Sequence, residues 1–210
     1  MKRNKVYFFR KMQPLYFNMD KLTGDYNGLI LLTGLVGAGK TSSAENIAKK
    51  YHAIPISFDV LKFYEASSAI SQEAFNEFSL IYPDIKRLLQ AQWRNSQNKD
   101  EDKLYAEYCV RFMRFLLNKA QKNKSAILLE GIQIFARLRY RDIQSFPCIV
   151  LATPAIECMR NFRRREKVLR TKHRTFELLK KYYLYHFRQR QLLNRLIYSY
   201  DVHYQNLQSK

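Results

Sequence analysis

The strongest constraint on the fold is a glycine-rich loop at residues 34–41, which reads Gly-Leu-Val-Gly-Ala-Gly-Lys-Thr and matches the pattern G-x-x-x-x-G-K-T. The run 29–33 before it is apolar up to its last residue, and the stretch after it is compatible with a helix. A strand that leads into such a loop lets successive backbone N–H groups turn toward phosphate oxygens, and the N-terminus of the next helix adds a positive end. The pattern therefore predicts a strand, a phosphate-binding loop and a helix that together bind a nucleoside triphosphate.

Two side chains of the glycine-rich loop have specific expected roles. Lys40 should reach the β- and γ-phosphates, and the hydroxyl of Thr41 should bind Mg²⁺, because that hard cation prefers oxygen ligands. An ordinary glycine-rich turn is the alternative explanation of the pattern. The predicted nucleotide-binding residues are Gly34, Leu35, Val36, Gly37, Ala38, Gly39, Lys40, Thr41 and Ser42.

The charge balance indicates an anionic partner. The 210 residues include 37 Lys and Arg against 18 Asp and Glu, which leaves a formal net charge of +19. Nucleic acid, a phosphorylated small molecule and an acidic membrane surface would each suit that excess, because net charge reports on partners rather than on fold. The length fits one domain, or a domain with a short appendage, and excludes a large multi-domain motor. The sequence leaves the oligomeric state open.

Cysteine usage and hydropathy bear on the cellular compartment. The three cysteines, Cys109, Cys148 and Cys158, form no C-x-x-C pair, which favours buried thiols in a reducing interior over a disulfide framework. No run approaches the roughly 20 apolar residues of a membrane-spanning helix. We therefore expect a cytoplasmic protein without a membrane partner, with most of its 14 Phe and 15 Tyr residues in the core.

The chain alternates predicted strands and helices from residue 29 onward. Strand 29–33, a helix to about residue 51 and strand 53–57 form a βαβ unit, and later apolar runs predict strands at 126–129 and 147–152. We expect an α/β fold with a mostly parallel sheet. The predicted subdivisions are a leading segment 1–28 that could add an edge element, a domain 29–210, a helical insertion 63–122 broken at Pro83 and at 95–102, a basic lid 155–175 and a C-terminal helix 176–200.

Polar residues at the ends of two predicted strands are the first candidates for chemistry, because ligands gather at the carboxyl ends of strands in a doubly wound sheet. Asp59 follows strand 53–57, where a carboxylate could orient an acceptor hydroxyl and accept its proton; a helix N-cap is the alternative role. Glu130 follows the next predicted strand, where an acid could meet the metal through water or contact the acceptor, and capping of the following helix is its alternative role. Gln133 is a candidate contact to the acceptor.

The arginine-rich segment 160–167 supplies the remaining candidates. Helical spacing places Arg160 with Arg163 and Arg164 on one face. Several guanidiniums on one face could stabilise the negative charge of transferred phosphoryl oxygens and, as a lid, exclude water. We assign catalytic roles to Arg160 and Arg164, with a solvated basic face or a nucleic-acid patch as the alternatives.

The sequence lacks the motifs of a GTPase. The stretch 123–126 reads Asn-Lys-Ser-Ala and so lacks the Asp of a guanine-binding motif, and Glu130-Gly131 is not a D-x-x-G switch. An ordered set of features remains, namely the glycine-rich loop, Asp59, the helical insertion, Glu130 and the arginine-rich helix.

In this order of features the chain resembles the small P-loop kinases, which include nucleoside and nucleotide kinases, polynucleotide 5′-kinase domains and the zeta-toxin group. The resemblance covers roughly residues 29–174 and implies a three-layer α/β/α P-loop NTPase fold, ATP and Mg²⁺ as cofactors, and transfer of the γ-phosphate to a hydroxyl. By the same resemblance, Lys40 and Thr41 match the nucleotide and metal positions, and Asp59 matches the acid that activates the acceptor. The chain departs from these kinases because a fifth parallel strand is not evident; residues 198–207 are the only late candidate.

The resemblance therefore implies an enzyme, a kinase whose acceptor is a small metabolite, a nucleoside or nucleotide, or a sugar nucleotide. The implied catalytic residues are Lys40, Asp59, Arg160 and Arg164, and the implied metal-binding residues are Thr41 and Glu130. The alternative is a nucleic-acid-directed P-loop protein, either a polynucleotide 5′-kinase or a nucleotide-gated binder, which the positive net charge supports.

Overall fold

A computed structural model describes residues 13–22, 24–63, 68–85, 99–168 and 187–201. The strands are β1 (Gln13–Phe17), β2 (Leu29–Gly34), β3 (Ala53–Ser57), β4 (Ala126–Glu130) and β5 (Cys148–Ala152). A 3₁₀ turn occupies Met19–Lys21, and the helices are α1 (Lys40–Lys50), α2 (Val60–Phe63), α3 (Ala69–Ile81), α4 (Lys99–Lys122), α5 (Gln133–Ala136), α6 (Tyr140–Ile143), α7 (Ala155–Val168) and α8 (residues 187–201).

The strands form one mostly parallel sheet in the order β1-β5-β2-β4-β3. β2 lies in the centre, pairs in parallel with both β4 and β5, and is buried at all six positions. β3 extends the parallel part beyond β4, whereas β1 runs antiparallel to β5 at the opposite edge. The four strands expected from residue 29 onward are confirmed, and the leading segment does contribute an edge strand.

Helices pack against the sheet through two apolar clusters. Alternate residues of β2 enter different clusters, because successive side chains of a strand point to opposite faces. Ile30 and Leu32 pack with Ala44 and Ala48 of α1. The larger cluster contains Leu29 and Leu31 of the same strand together with buried residues of α3, α4 and α8. The sheet is therefore covered on both faces, as a parallel sheet requires.

The helical insertion packs around aromatic side chains. Phe78 of α3 is fully buried, and its ring centroid lies 5.1 Å from that of Phe112 and 5.6 Å from that of Phe115 on α4. The predicted break at 95–102 is wrong over its last four residues, since α4 begins at Lys99; residues 95–98 lie outside the described part.

The basic C-terminal helix is part of the core. In α8 the buried residues Leu193, Leu196, Ile197 and Tyr200 follow helical spacing, and the Tyr200 ring stacks on that of Phe17 in β1 with centroids 4.5 Å apart. The stretch 198–207, the only late candidate for a further strand, is not a strand in its described part, because residues 198–201 are helical. The helical spacing of Leu193, Leu196, Ile197 and Tyr200 places these apolar side chains on one face of the helix, whereas in a strand successive side chains would point to opposite faces.

The cysteines are free and buried, as expected. Burial raises the pKa of the Cys109 and Cys148 thiols to about 12, so both remain protonated at neutral pH. Among the described residues, none of the helices combines the length and the apolar character needed to cross a bilayer.

The packing of α8 predicts that its apolar face supports the fold. Leu193→Ala removes a fully buried side chain and should lower the free energy of unfolding by about 2–5 kcal/mol, measured by urea denaturation. Arg195→Ala on the exposed face of the same helix is the control and should change it by less than about 0.5 kcal/mol. Equal effects of the two substitutions would contradict a core role for α8.

Candidate functional site

The glycine-rich loop connects the central strand to α1. Gly37 and Gly39 have φ values of 80° and 85°, a region that favours glycine because a side chain there is strained. Gly39 is the N-cap of α1, so the loop ends in the first turn of a helix, where backbone N–H groups lack partners within the helix. The Nζ atom of Lys40 donates to the Leu35 carbonyl at 3.1 Å, which holds the ammonium group over the loop.

Two hydroxyls converge on one oxygen of Glu130. Thr41 Oγ1 donates to Glu130 Oε1 at 3.2 Å, and Ser57 Oγ donates to the same atom at 2.7 Å. The sheet register causes this meeting, since Ser57 of β3 is directly opposite Glu130 of β4. The two predicted metal-binding residues are therefore in contact. The cap position of α5 is Ile132, so the alternative role of Glu130 as the cap of that helix is not observed.

Glu130 is a buried carboxyl group with mixed electrostatic surroundings. Its side chain is 3% exposed, and this burial raises its pKa because the charged form loses hydration. The hydrogen bond from Ser57 and the positive charge of Lys40 act in the opposite direction and lower the pKa. A cation bound at this oxygen would compensate the buried charge, because carboxylate and hydroxyl oxygens are the ligands that hard cations prefer.

Asp59 lies at the end of the neighbouring strand, just before α2. Its Oδ1 atom accepts a hydrogen bond from Gln133 Nε2 at 3.2 Å, and its backbone N–H donates to Ser57 Oγ at 3.2 Å. Ser57 thus contacts both acids, the carboxylate of Glu130 and the backbone of Asp59. Ser57 was not among the predicted site residues; the signal that could have indicated it is a hydroxyl at the last position of a strand that is followed by an acid.

Gly131 and Gln133 shape the wall next to Asp59. A Cβ atom added at Gly131 would lie 2.6 Å from both Gln133 Oε1 and Phe58 Cβ, so only glycine lets these side chains pack here. On the insertion side, the Arg137 guanidinium lies over the Tyr105 ring at 5.7 Å from its centroid. The aromatic ring of Tyr105 and the amide of Gln133 are both buried.

The helix α7 begins beside the glycine-rich loop. Thr153 Oγ1, at the start of the connection into α7, donates to the Ala38 carbonyl at 3.0 Å, and Asn161 Nδ2 donates to the Gly37 carbonyl at 3.0 Å. Arg160 and Arg164 are exposed on this helix, and no described hydrogen bond or ion pair joins them to the acids of the site. The Arg163 side chain and residues 169–175 of the predicted lid lie outside the described part.

The described hydrogen bonds thus link a set of residues at the carboxyl ends of β2, β3 and β4, namely Thr41, Glu130, Ser57, Asp59 and Gln133. The charge of Lys40 acts on the Glu130 carboxyl group of this set. No protein-family model, curated protein or solved structure matches this chain. The chemistry of the site is therefore argued from its own residues.

The contacts of Gly131 give a first prediction for the site. Gly131→Ala should displace Gln133 or Phe58 and lower the free energy of unfolding by about 1–3 kcal/mol, the usual cost of overpacking. The measurement is urea denaturation, with Gly24→Ala as the control, because Gly24 has no atom within 4 Å of an added Cβ although its φ of 58° carries strain of its own. A loss no greater than that of the control would contradict the packing described here.

The raised pKa of Glu130 gives a second prediction, on stability against pH. The folded protein binds this proton more tightly than the unfolded chain does, whose Glu pKa is about 4.3, so the contribution of Glu130 to stability falls as pH rises from that value through the raised pKa. Glu130→Gln removes the titration. The variant should therefore gain stability relative to the parent protein as pH rises across this window, measured by urea denaturation between pH 4 and 8. A stability difference that is independent of pH would contradict the prediction.

Proposed function

We propose that this chain is an ATP- and Mg²⁺-dependent phosphotransferase with a three-layer α/β/α P-loop NTPase fold, which transfers the γ-phosphate to a hydroxyl of a small metabolite, a nucleoside or nucleotide, or a sugar nucleotide. The observation that carries the proposal is the meeting of Thr41 and Glu130, one strand away from Asp59. The Thr41 hydroxyl and the Glu130 carboxylate are suitable ligands for the metal ion of a metal–phosphate complex. The second carboxylate, Asp59, is suited to accept a proton from an acceptor hydroxyl.

The sheet topology supports this choice of fold. The strand that carries the loop lies between β4 and β5, and β4 carries the acid that contacts Thr41. In open parallel sheets, ligands bind at the carboxyl ends of the strands. The loop, Glu130 and Asp59 all lie at that end of the sheet.

Lys40 and the start of α1 would bind the donor. The ammonium group of Lys40 donates to the Leu35 carbonyl in the structure and would turn to the β- and γ-phosphates when ATP binds. The backbone N–H groups of the first turn of α1 would add donors at the positive end of the helix. Thr41 and Glu130 would hold Mg²⁺, which when bound neutralises developing charge on the phosphates. The two oxygens are sufficient from the protein, because phosphates and water complete the coordination of this ion.

Asp59 would act on the acceptor. Its Oδ1 atom is held by Gln133, which leaves Oδ2 to accept the proton of the acceptor hydroxyl. The acceptor oxygen then forms a bond to the γ-phosphorus while the bond to the bridging β–γ oxygen breaks. Lys40 stabilises the negative charge that remains on the β-phosphate. Arg160 and Arg164, exposed on α7, would neutralise the equatorial phosphoryl oxygens when the lid closes.

The insertion would form the acceptor side of the cleft, with Gln133 and Tyr105 next to Asp59. Coulomb interaction between Asp59 and Tyr105 contributes to the raised pKa of that phenol, after burial and the effect of Cys109, which indicates that the two groups are neighbours. We place the protein in the cytoplasm, since three buried free thiols suit a reducing compartment.

Substitution of the two central residues tests the proposal. Lys40→Ala should weaken binding of Mg²⁺-ATP at least about tenfold, measured by calorimetry, because it removes a charged contact to the phosphates. Asp59→Asn should leave that affinity unchanged and lower transfer of label from γ-labelled ATP to a panel of hydroxyl acceptors by about 10²–10⁴-fold, since it removes the general base. Lys49→Ala and Asp84→Asn are matched exposed controls. Normal binding and transfer in both site variants would overturn the proposal.

A nucleic-acid-directed protein is the second candidate, favoured by the formal charge of +19 and by exposed arginines such as Arg188 and Arg195. A protein that neutralises many backbone phosphates loses affinity steeply as salt rises. For this candidate, oligonucleotide affinity should fall by at least about 10³-fold between 50 and 200 mM salt. Fluorescence anisotropy with a labelled oligonucleotide measures this, and weak binding at physiological ionic strength would eliminate the candidate.

A further inference from the structure

Two side chains near α7 hold consecutive carbonyls of the glycine-rich loop. Asn161 Nδ2 donates to Gly37 O at 3.0 Å, and Thr153 Oγ1 donates to Ala38 O at 3.0 Å. Thr153 is 3% exposed, whereas Asn161 is on the exposed side of the helix. Both contacts span more than a hundred residues of sequence, so they join separate elements of the fold.

These contacts fix which way the loop peptides point. In a planar trans peptide, the carbonyl and the N–H of the next residue point in opposite directions. A side chain that holds Ala38 O on the α7 side therefore turns the Gly39 N–H to the opposite side, toward the start of α1. The Ala38 N–H, from the peptide held by Asn161, closes a turn onto Leu35 O at 3.0 Å. The loop is thus shaped by groups outside its own sequence.

Backbone packing strengthens the same junction. A Cβ atom added at Gly37 would collide with the carbonyl oxygen of Cys158 in α7, so the helix backbone lies directly against the loop backbone. Asn161 of α7 and Thr153 of the connection before it add hydrogen bonds to two successive residues of the loop. A movement of this part of α7 would therefore change the orientation of the loop peptides.

We propose that Asn161 and Thr153 are positioning residues that hold the glycine-rich loop in its phosphate-binding shape and couple it to α7. This inference rests on the proposed function and deepens it, because it says how occupancy of the phosphate site and the position of the arginine-bearing helix influence each other. A phosphate chain that accepts from the Gly39 N–H would stabilise the peptide whose carbonyl Thr153 holds, and Asn161 holds the preceding peptide, whose N–H closes the turn onto Leu35 O. Because Asn161 is a residue of α7, this contact also positions the helix that carries Arg160 and Arg164.

Binding of inorganic triphosphate with Mg²⁺, compared with Mg²⁺-ATP, tests the inference without a known acceptor. Asn161→Ala should weaken both ligands by about three- to tenfold in calorimetry, the usual effect of losing one hydrogen bond. Asn161→Asp, whose carboxylate cannot donate to Gly37 O, should weaken them at least as much, and Asn161→Gln should recover part of the loss. The midpoint of thermal unfolding should stay near that of the parent, since the side chain is exposed.

Matched variants separate positioning from general damage. Asn76 is also an exposed helical asparagine with one side-chain hydrogen bond, from Gln72, so Asn76→Ala should bind triphosphate normally. Thr153→Ser keeps the hydroxyl and should bind normally, whereas Thr153→Val should bind at least about threefold more weakly. Equal affinity of the parent, Asn161→Ala and Thr153→Val would overturn the inference while leaving the proposed function intact.

Amide hydrogen exchange gives a second readout that needs no ligand. In Asn161→Ala, backbone amides of residues 35–39 should exchange at least about threefold faster than in the parent protein, because one tether of the loop is lost. Amides of β4 should be unchanged. Unchanged exchange in the loop would overturn the inference by itself. Failure of the parent protein to bind either ligand would instead overturn the proposed function, so the two failures are distinguishable.

Discussion

The central position of β2, hydrogen-bonded in parallel on both edges, is the constraint on which the site depends. All six residues of β2 are buried, and the glycine-rich loop follows the strand at the carboxyl end of the sheet. Pairing with β4 places Leu32 opposite Glu130, and pairing of β4 with β3 places Ser57 opposite the same residue. The last residues of β3 and β4 therefore lie level with Leu32, two residues before β2 ends at Gly34, and the polar groups at these strand ends lie close together.

The meeting of these polar groups at Glu130 lowers the stability of the folded protein at neutral pH, because it buries a carboxyl group. Glu130 is a carboxyl group in a buried position, and its hydrogen bonds from Thr41 and Ser57 leave its pKa raised, which means that burial outweighs them. An amide would suit the folded chain better at neutral pH. Buried charges are tolerated where a partner ion compensates them, which is consistent with the metal-binding role that we propose for Glu130.

The parts of the site that the sequence predicts are those set by local pattern. The β2–loop–α1 unit follows from glycine spacing and an apolar run, and Asp59 and Glu130 follow from their positions after strands. Ser57 could not be assigned, because its contact with Glu130 depends on the register between two strands. Thr153 and Asn161 were missed because only the tertiary fold brings them to the loop. The spacing of the apolar residues in α8 indicates a buried helix face, but the many basic residues of that segment drew attention to an anionic partner instead.

The antiparallel edge strand affects how the chain is made. β1 precedes the other described strands in the chain, yet its partner in the sheet is β5, the last of the described strands. Until residues 148–152 emerge, β1 has no neighbour and one edge of β2 stays open. This edge of the sheet therefore forms only once residues 148–152 are made, and a nascent chain halted before β5 leaves unpaired strand edges of the kind that chaperones shield from aggregation.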